Sequence, residues 1–314
     1  MSDCECLGWN ELPLGEIMVE KPYMLEEIRD SKRPLSVSVS GGKDSMATAL
    51  WVKELGLHET NPVSYVYADT GWEHPELTRY IDEVVRPMFA PDFHTVKSTK
   101  YPSGMRDLIM AKSAFPSGRM RFCTTELKIV PIRDYLDTLD NPINVVGIRA
   151  QESHRRSKMD EFEPGGPLGV DCWRPLIDWI LEDVIAIHKR HGIKPCSLYY
   201  RKRLPLSRVG CDPCIFSKKK EIRAIRPERR DDIREMEKAL KEKFRQKNPD
   251  DERVPTFFST KKATQPYTID EAFRWSQTSH GGKKIEMFLP EDGQQGCAYW
   301  GLCDIPDENG EYVP

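Results

Sequence analysis

The sequence predicts an α/β protein, and three stretches carry that prediction. In the first, Leu35-Ser36-Val37-Ser38-Val39 alternates apolar and polar residues as a strand does, then runs into Ser40-Gly41-Gly42-Lys43-Asp44-Ser45. Met46 to Leu55 follows, rich in helix formers, with Gly56 as its stop. In the second, the strand Val63-Ser64-Tyr65-Val66-Tyr67-Ala68 ends in Asp69-Thr70-Gly71-Trp72-Glu73-His74-Pro75-Glu76, and a helix runs on from Glu76 to Met88. Pro75 suits the first turn of that helix. In the third, the strand Ile143-Asn144-Val145-Val146-Gly147-Ile148 leads into the charged run Arg149-Ala150-Gln151-Glu152-Ser153-His154-Arg155-Arg156.

The remaining elements follow in chain order. Residues 1–30 are expected to be a lead-in with a short helix near Met24 to Arg29. A short strand is expected at Phe93-His94-Thr95-Val96 and a helix at Met105 to Lys112. Cys123 opens a helix whose apolar residues, from Leu127 to Leu139, recur at helical spacing; Pro131 either kinks it or marks its start. Residues 158–170 are rich in Gly and Pro and read as a loop, a candidate flap. A helix is expected from Leu181 to His191, with His188 and His191 on its surface. Two more are expected at Asp231 to Lys247 and at Thr268 to Trp275, the latter opened by a Thr268/Glu271 capping box.

Composition narrows the class. The chain has 314 residues, 39% apolar and 31% charged, which suits a soluble globular protein. A net charge of −3 gives no global basic field to draw in nucleic acid. No apolar run approaches the roughly 20 residues of a membrane span, and Met1 to Glu20 lacks a signal-peptide core, so a cytoplasmic protein with no membrane partner is expected. Nine cysteines, an odd count in a chain of this size, argue against a disulfide framework and turn attention to metal binding. Residues 201–230 carry eleven Lys and Arg against three acids, a candidate phosphate-contacting segment or a solvated face.

The stretch from Ser40 to Ser45 is a phosphate cradle. Adjacent glycines let backbone N–H groups turn inward, and the following helix points its positive end at the same spot. Ser40, Lys43 and Ser45 add two hydroxyls and a cation. The spacing excludes a Walker A loop, because Asp44 separates Lys43 from Ser45. The stretch resembles the pyrophosphatase loop (PP-loop) of enzymes that cut ATP between its α- and β-phosphates. In a parallel sheet Asp69 and Gly71 fall on the same rim. Arg149 stands at a third strand end, where it can hold phosphate or sulfate.

These motifs, with Arg174-Pro175-Leu176-Ile177-Asp178-Trp179 and Gly210-Cys211-Asp212-Pro213-Cys214 in the same order, resemble the phosphoadenosine phosphosulfate (PAPS) reductase family in its broad sense. That family includes sulfonucleotide reductases, ATP sulfurylase subunits and the sulfur-transfer proteins of DNA phosphorothioation. The resemblance covers roughly residues 35–216. It implies an adenine nucleotide α-hydrolase-like fold, a mainly parallel doubly wound sheet with nucleotide at the strand ends. A helical, loop-rich, Cys-containing C-terminal part is expected to pack on it. The expected boundaries are residues 1–30, a nucleotide-binding domain over 31–205, and a basic Cys-x-x-Cys segment with its extension over 206–314.

An intact Ser40–Ser45 loop, and a tail reading Trp300-Gly301-Leu302-Cys303-Asp304 where the reductases carry Glu-Cys-Gly-Leu-His, favour ATP as substrate. The reading is an ATP-cleaving, AMP-forming transferase acting in sulfur transfer, with Lys43, Asp44 and Ser45 catalytic. Ser40 to Ser45, Asp69, Gly71 and Arg149 bind the nucleotide, and Asp44 or Asp69 places magnesium. Cys123 matches one Cys of the Cys-Cys pair of cluster-bearing relatives, and Cys211 and Cys214 match their Cys-x-x-Cys. Cys303 or Cys297 completes four ligands for an iron–sulfur cluster, with tetrahedral zinc as the alternative. The sulfur donor is a protein or a small-molecule thiol. The competing readings are a PAPS or adenylyl-sulfate reductase and a nucleic-acid-binding protein that kept the fold without catalysis.

Overall fold

The computed structural model describes residues 20–201, 204–250, 254–258 and 267–278. Helix α1 (Leu25–Ser31) lies within the expected lead-in and buries Leu25 and Ile28 in the main core. Strand β1 (Leu35–Ser38), helix α2 (Lys43–Glu54) and strand β2 (Val63–Asp69) follow as the sequence predicts. Helix α3 (Pro75–Tyr80) passes through a wide π turn at Ile81–Val85 into α4 (Arg86–Phe89), and β3 (Phe93–Lys97) comes next. Then come α5 (Met105–Lys112), α6 (Phe122–Thr124), a second π turn at Thr125–Ile129, α7 (Val130–Leu136) and β4 (Ile143–Val145). The remainder is β5 (Phe162–Glu163), β6 (Asp171–Trp173), α8 (Leu181–Arg190), α9 (Lys219–Arg223), α10 (Pro227–Lys247) and α11 (Ile269–Ser276).

The six strands form one sheet in the order β3-β2-β1-β4-β6-β5, parallel except for β5. Leu35 pairs with Val63 on one side and Ile143 on the other, so the connections that leave β1 towards β2 and β4 towards β6 run in opposite directions. Their divergence leaves a crevice beyond the carboxyl ends of β1 and β4, where open α/β sheets bind ligands. The apolar–polar alternation of β1 does not mark a half-exposed strand. Ser36 is as buried as Leu35 and Val37, because helices cover the sheet. Part of the expected 158–170 loop is strand instead: β5 pairs antiparallel with β6, Phe162 opposite Trp173, and closes the sheet edge.

Helix α2 is buried from Ser45 to Val52, packed between the sheet and α8. A second core gathers Trp72, α5, Leu127, α9, α10 and α11 around Phe257, so the described C-terminal residues share a core with the strand-end loops. Pro131 neither starts nor sharply breaks its helix. It sits two residues beyond the π turn at Thr125–Ile129, as Pro87 does beyond Ile81–Val85. Proline lacks the N–H that an α turn needs and its ring crowds the preceding turn; the wider turn relieves both.

Candidate active site

The loop after β1 is held by its own residues. Gly41 has φ +70, and a Cβ there would stand 2.6 Å from Leu77 Cδ1 and 2.8 Å from Ile81 Cδ1, so this position requires glycine. Ser45 Oγ accepts from the Ser40 N–H at 3.0 Å, donates to Gly42 O at 3.0 Å and lies 3.0 Å from Ser40 Oγ. Ser45 is therefore the brace of the cradle, and the exposed Ser40 presents the outward hydroxyl.

Asp44 is the centre of charge. Lys43 Nζ donates to its Oδ2 at 2.5 Å and Arg149 Nε to its Oδ1 at 2.6 Å. Burial pushes the Asp44 carboxyl up, but the two cations outweigh it and leave the group below its ordinary value. Gly147, two residues before Arg149, lets β4 come close: a Cβ there would stand 2.6 Å from Thr48 Oγ1 and 2.8 Å from Asp44 O. Tyr199 closes the other side, accepting from the Lys43 N–H at 3.2 Å with Lys43 Nζ 5.9 Å from its ring centre. His188 is not a surface residue. It is fully buried, with Nε2 2.9 Å from Lys43 O and Nδ1 3.2 Å from Ile193 O, and burial pushes its pKa down. It fastens α8 to the first turn of α2.

At the second strand end Asp69 and Gly71 form the turn beside the cavity. Asp69 accepts from the Gly71 N–H at 2.9 Å and pairs with Lys97 at 2.6 Å, which shapes the turn. Neither Asp69 nor Gly71 lines the cavity of about 240 Å³ beside the loop; Tyr67, Ala68, Glu73 and His74 do, opposite Ser40 and the 206–217 segment. Glu73 accepts from the Thr70 hydroxyl at 2.6 Å and the Trp72 N–H at 3.0 Å.

A second cavity shares a wall with the first. Lys128, Arg208, Cys211, Pro213, Cys214 and Phe216 line both, and Cys123 lines the second. Cys123, Cys211 and Cys214 thus line one cavity. No three His, Cys, Asp or Glu among the described residues stand ready around a single metal ion. Cys297 and Cys303 lie outside the described residues. Burial pushes the Cys211 thiol up to about 11, against the pull of Lys128, and raises Cys123 too. Lys128 sits among these sulfurs and Glu73, and the negative charge on Cys211, ahead of the others, raises its own pKa.

The sequence does not mark Glu73, Lys128, Tyr199 and Arg208 as site residues, and it places His188 on the helix surface. The signal for Lys128 is geometric. Five residues after Cys123 in an α-helix is about 140° around the axis, the wrong face. The π turn between them closes i→i+5 and brings both onto the same cavity.

A parallel α/β sheet with a phosphate cradle at its switch point defines a nucleotide-using enzyme. The chain belongs to the phosphoadenosine phosphosulfate reductase family, whose domain matches residues 34–217. Among relatives, a protein of the gpa 5′ region of Escherichia phage 186 is 30% identical over 85% of this chain and 96% of its own length. A nin region protein of Escherichia phage lambda is 30% identical over 60% of this chain and 67% of its own. Among solved structures, the PAPS reductase of Candida auris in a phosphate complex has a TM-score of 0.44 at 17% identity, covering 58% of this chain and 85% of that one. Candida glabrata FMN adenylyltransferase with ATP gives 0.39 at 16% identity, covering 57% and 53%. The U34-tRNA thiolase NcsA of Methanococcus maripaludis, with its four-iron cluster, gives 0.40 at 14% identity, covering 89% and 86%. Among the described residues no helix is long and apolar enough to cross a membrane.

Proposed function

We propose that this protein binds ATP at the Ser40–Ser45 loop, cleaves it between the α- and β-phosphates and adenylates an acceptor for sulfur transfer. The observation that carries this reading is the Lys43–Asp44–Arg149 cluster at the start of α2. The Gly41-Gly42 turn and the α2 N-terminus receive the triphosphate, and Ser40 donates to a phosphate oxygen. Lys43, now parked on Asp44, moves to the β- and γ-phosphates and offsets the charge that builds on departing pyrophosphate. Asp44, held by Arg149 through Oδ1, would be the carboxylate that holds a magnesium ion, which would offset phosphate charge. An acceptor oxygen attacks the α-phosphorus and pyrophosphate leaves; a sulfur nucleophile then displaces AMP from the acceptor.

Three thiols that line one cavity, with the Lys128 cation beside them, have the chemistry of iron–sulfur ligands. Cys123, Cys211 and Cys214 would hold it, with Cys303 or Cys297 as a fourth ligand, and it would supply a soft metal site for sulfur. Lys128 offsets the negative charge of the thiolates. The test is product analysis with α-labelled ATP. AMP and pyrophosphate as the products support the reading, and ADP with phosphate as the main products rejects it.

A further inference from the structure

Five large apolar side chains stand exposed among the described residues, and Met120, Phe216 and Trp275 are linked into one line of neighbours by Arg121, next to Met120 and over Phe216, and by Lys219, three residues after Phe216 and over Trp275. Each of the two rings carries a cation. The Arg121 guanidinium lies 5.4 Å from the Phe216 ring centre, and Lys219 Nζ lies 4.8 Å from that of Trp275. Phe216 and Lys219 are three residues apart, so their Cα atoms lie within about 11 Å, a few nucleotides of an extended strand. The line begins at the thiol cavity, whose wall includes Arg121 and Phe216. The described lining of that cavity holds three cations, Arg121, Lys128 and Arg208, and no carboxylate. This local excess stands out in a chain of net charge −3.

Exposed rings interleaved with cations are what a single strand of nucleic acid requires. Bases stack on the ring faces and phosphates meet the cations, whereas a duplex keeps its base faces covered. A small anion would have no use for the Trp275 ring outside the cavity, and an acidic peptide has no flat face to stack. We propose that the line from Met120 to Trp275 binds a single-stranded nucleic acid and delivers one of its nucleotides to the thiol cavity as the acceptor. The delivery step rests on the adenylation and sulfur-transfer reading above; the binding step does not.

The test uses the full chain and labelled RNA and DNA strands of mixed sequence, about 20 nucleotides long to exceed one binding site, with affinity followed by fluorescence anisotropy across a salt series. Phe216→Ala and Trp275→Ala should each weaken binding by roughly five- to a hundredfold, the scale of losing one stacking ring. Phe216→Tyr and Trp275→Phe keep a ring and should retain binding, which separates stacking from a folding defect. Arg121→Glu should weaken binding and lower the salt slope by about one. The proposal is overturned if the strand does not bind, if the alanine variants bind like the parent, or if duplex or polyglutamate competes as well as single strand. ATP cleavage is measured on the same preparations. A protein that splits ATP but ignores the strand overturns this proposal alone. One that binds the strand through both rings without cleaving ATP upholds the binding and removes the adenylation reading.

Discussion

Arg149 Nε stands 2.6 Å from Asp44 Oδ1, and this ion pair ties the loop after β1 to the loop after β4 across the switch point of the sheet. Asp44 has a second cation in Lys43, so one carboxylate faces two positive groups with different freedom. Arg149 is almost fully buried and also donates to Gln151 at 2.6 Å. Lys43 also lies against the Tyr199 ring, and its flexible four-carbon stem lets it leave Asp44. The pair reads as one fixed cation and one mobile cation, with Asp44 holding the mobile one until phosphate arrives.

Lys43→Ala should therefore lower AMP formation by about two orders of magnitude, the scale of removing one preorganised charge partner. Its thermal stability should change little, because Arg149 still faces Asp44. Arg149→Met should do the reverse in part. It leaves a buried carboxylate short of its fixed partner, at a cost of about 3 kcal/mol, the lower end for broken buried pairs because Lys43 remains. Turnover and melting temperature of the two variants separate the roles. Equal stability loss in both would show that the mobile and fixed assignments are mistaken.

Gly147→Ala tests how closely the two loops approach. Its Cβ would meet backbone Asp44 O at 2.8 Å, and backbone in the first turn of α2 cannot swing away. The variant should lose about 1–3 kcal/mol, the usual range for overpacking, and bind ATP more weakly because Asp44 is displaced. Gly165→Ala is the control for a glycine with nothing within 4 Å, although its φ of +59 adds local strain. If Gly147→Ala melts and binds like the parent, the approach of β4 to α2 is looser than described.

Much of this was legible in the sequence. The Ser40–Ser45 loop, the helix at Met105 to Lys112 and the Thr268/Glu271 cap stand where their residues indicate, because each signal is local. The failures share a cause. His188 lies in the run His188-Lys189-Arg190-His191, which looks like a solvated face, yet it turns inward to the Lys43 carbonyl. Strand β6 is three residues long, too short to show a period, and is fixed by pairing with β4. Local chemistry names the candidates, and partners distant in sequence decide which of them face the cavity.

Glu237 gives a pH dependence. Its carboxylate is buried on α10 and accepts from the Phe257 N–H at 3.2 Å and the Ile269 N–H at 3.1 Å, joining the C-terminal residues to the second core. Burial pushes its pKa up to about 7, against the pull of those two N–H groups. A raised carboxyl pKa means that the folded protein holds a proton that the unfolded chain has released. Stability should fall as pH rises from about 4.5 to about 7, with a slope of at most about 1.4 kcal/mol per pH unit from this one proton. Urea melts across that window check the sign. Glu237→Gln keeps an acceptor for both N–H groups and should flatten the slope; an unchanged slope would assign it to other carboxylates.

The cavity where Cys123, Cys211 and Cys214 meet supplies the last expectation. The thiols of Cys123 and Cys211 have raised pKa values and do not ionise unaided, and the single Lys128 beside them cannot compensate three thiolates. A soft metal centre removes the difficulty, because coordination ionises the thiol outright. Protein purified without oxygen should carry iron and acid-labile sulfide in equal amounts. Serine at any of the three cysteines should lower both by at least about tenfold, as each thiolate bond is lost. Cys196→Ala should leave them unchanged, since Cys196 is buried in the main core. Lys128→Met should bind the same iron but shift its reduction potential downwards, because an anionic cluster that has lost its neighbouring cation is harder to reduce. Zinc without sulfide would assign the same thiols to a tetrahedral site. Neither metal, in protein whose Ser40–Ser45 loop binds ATP, would leave the thiols as reduced packing residues and separate nucleotide chemistry from sulfur chemistry in this chain.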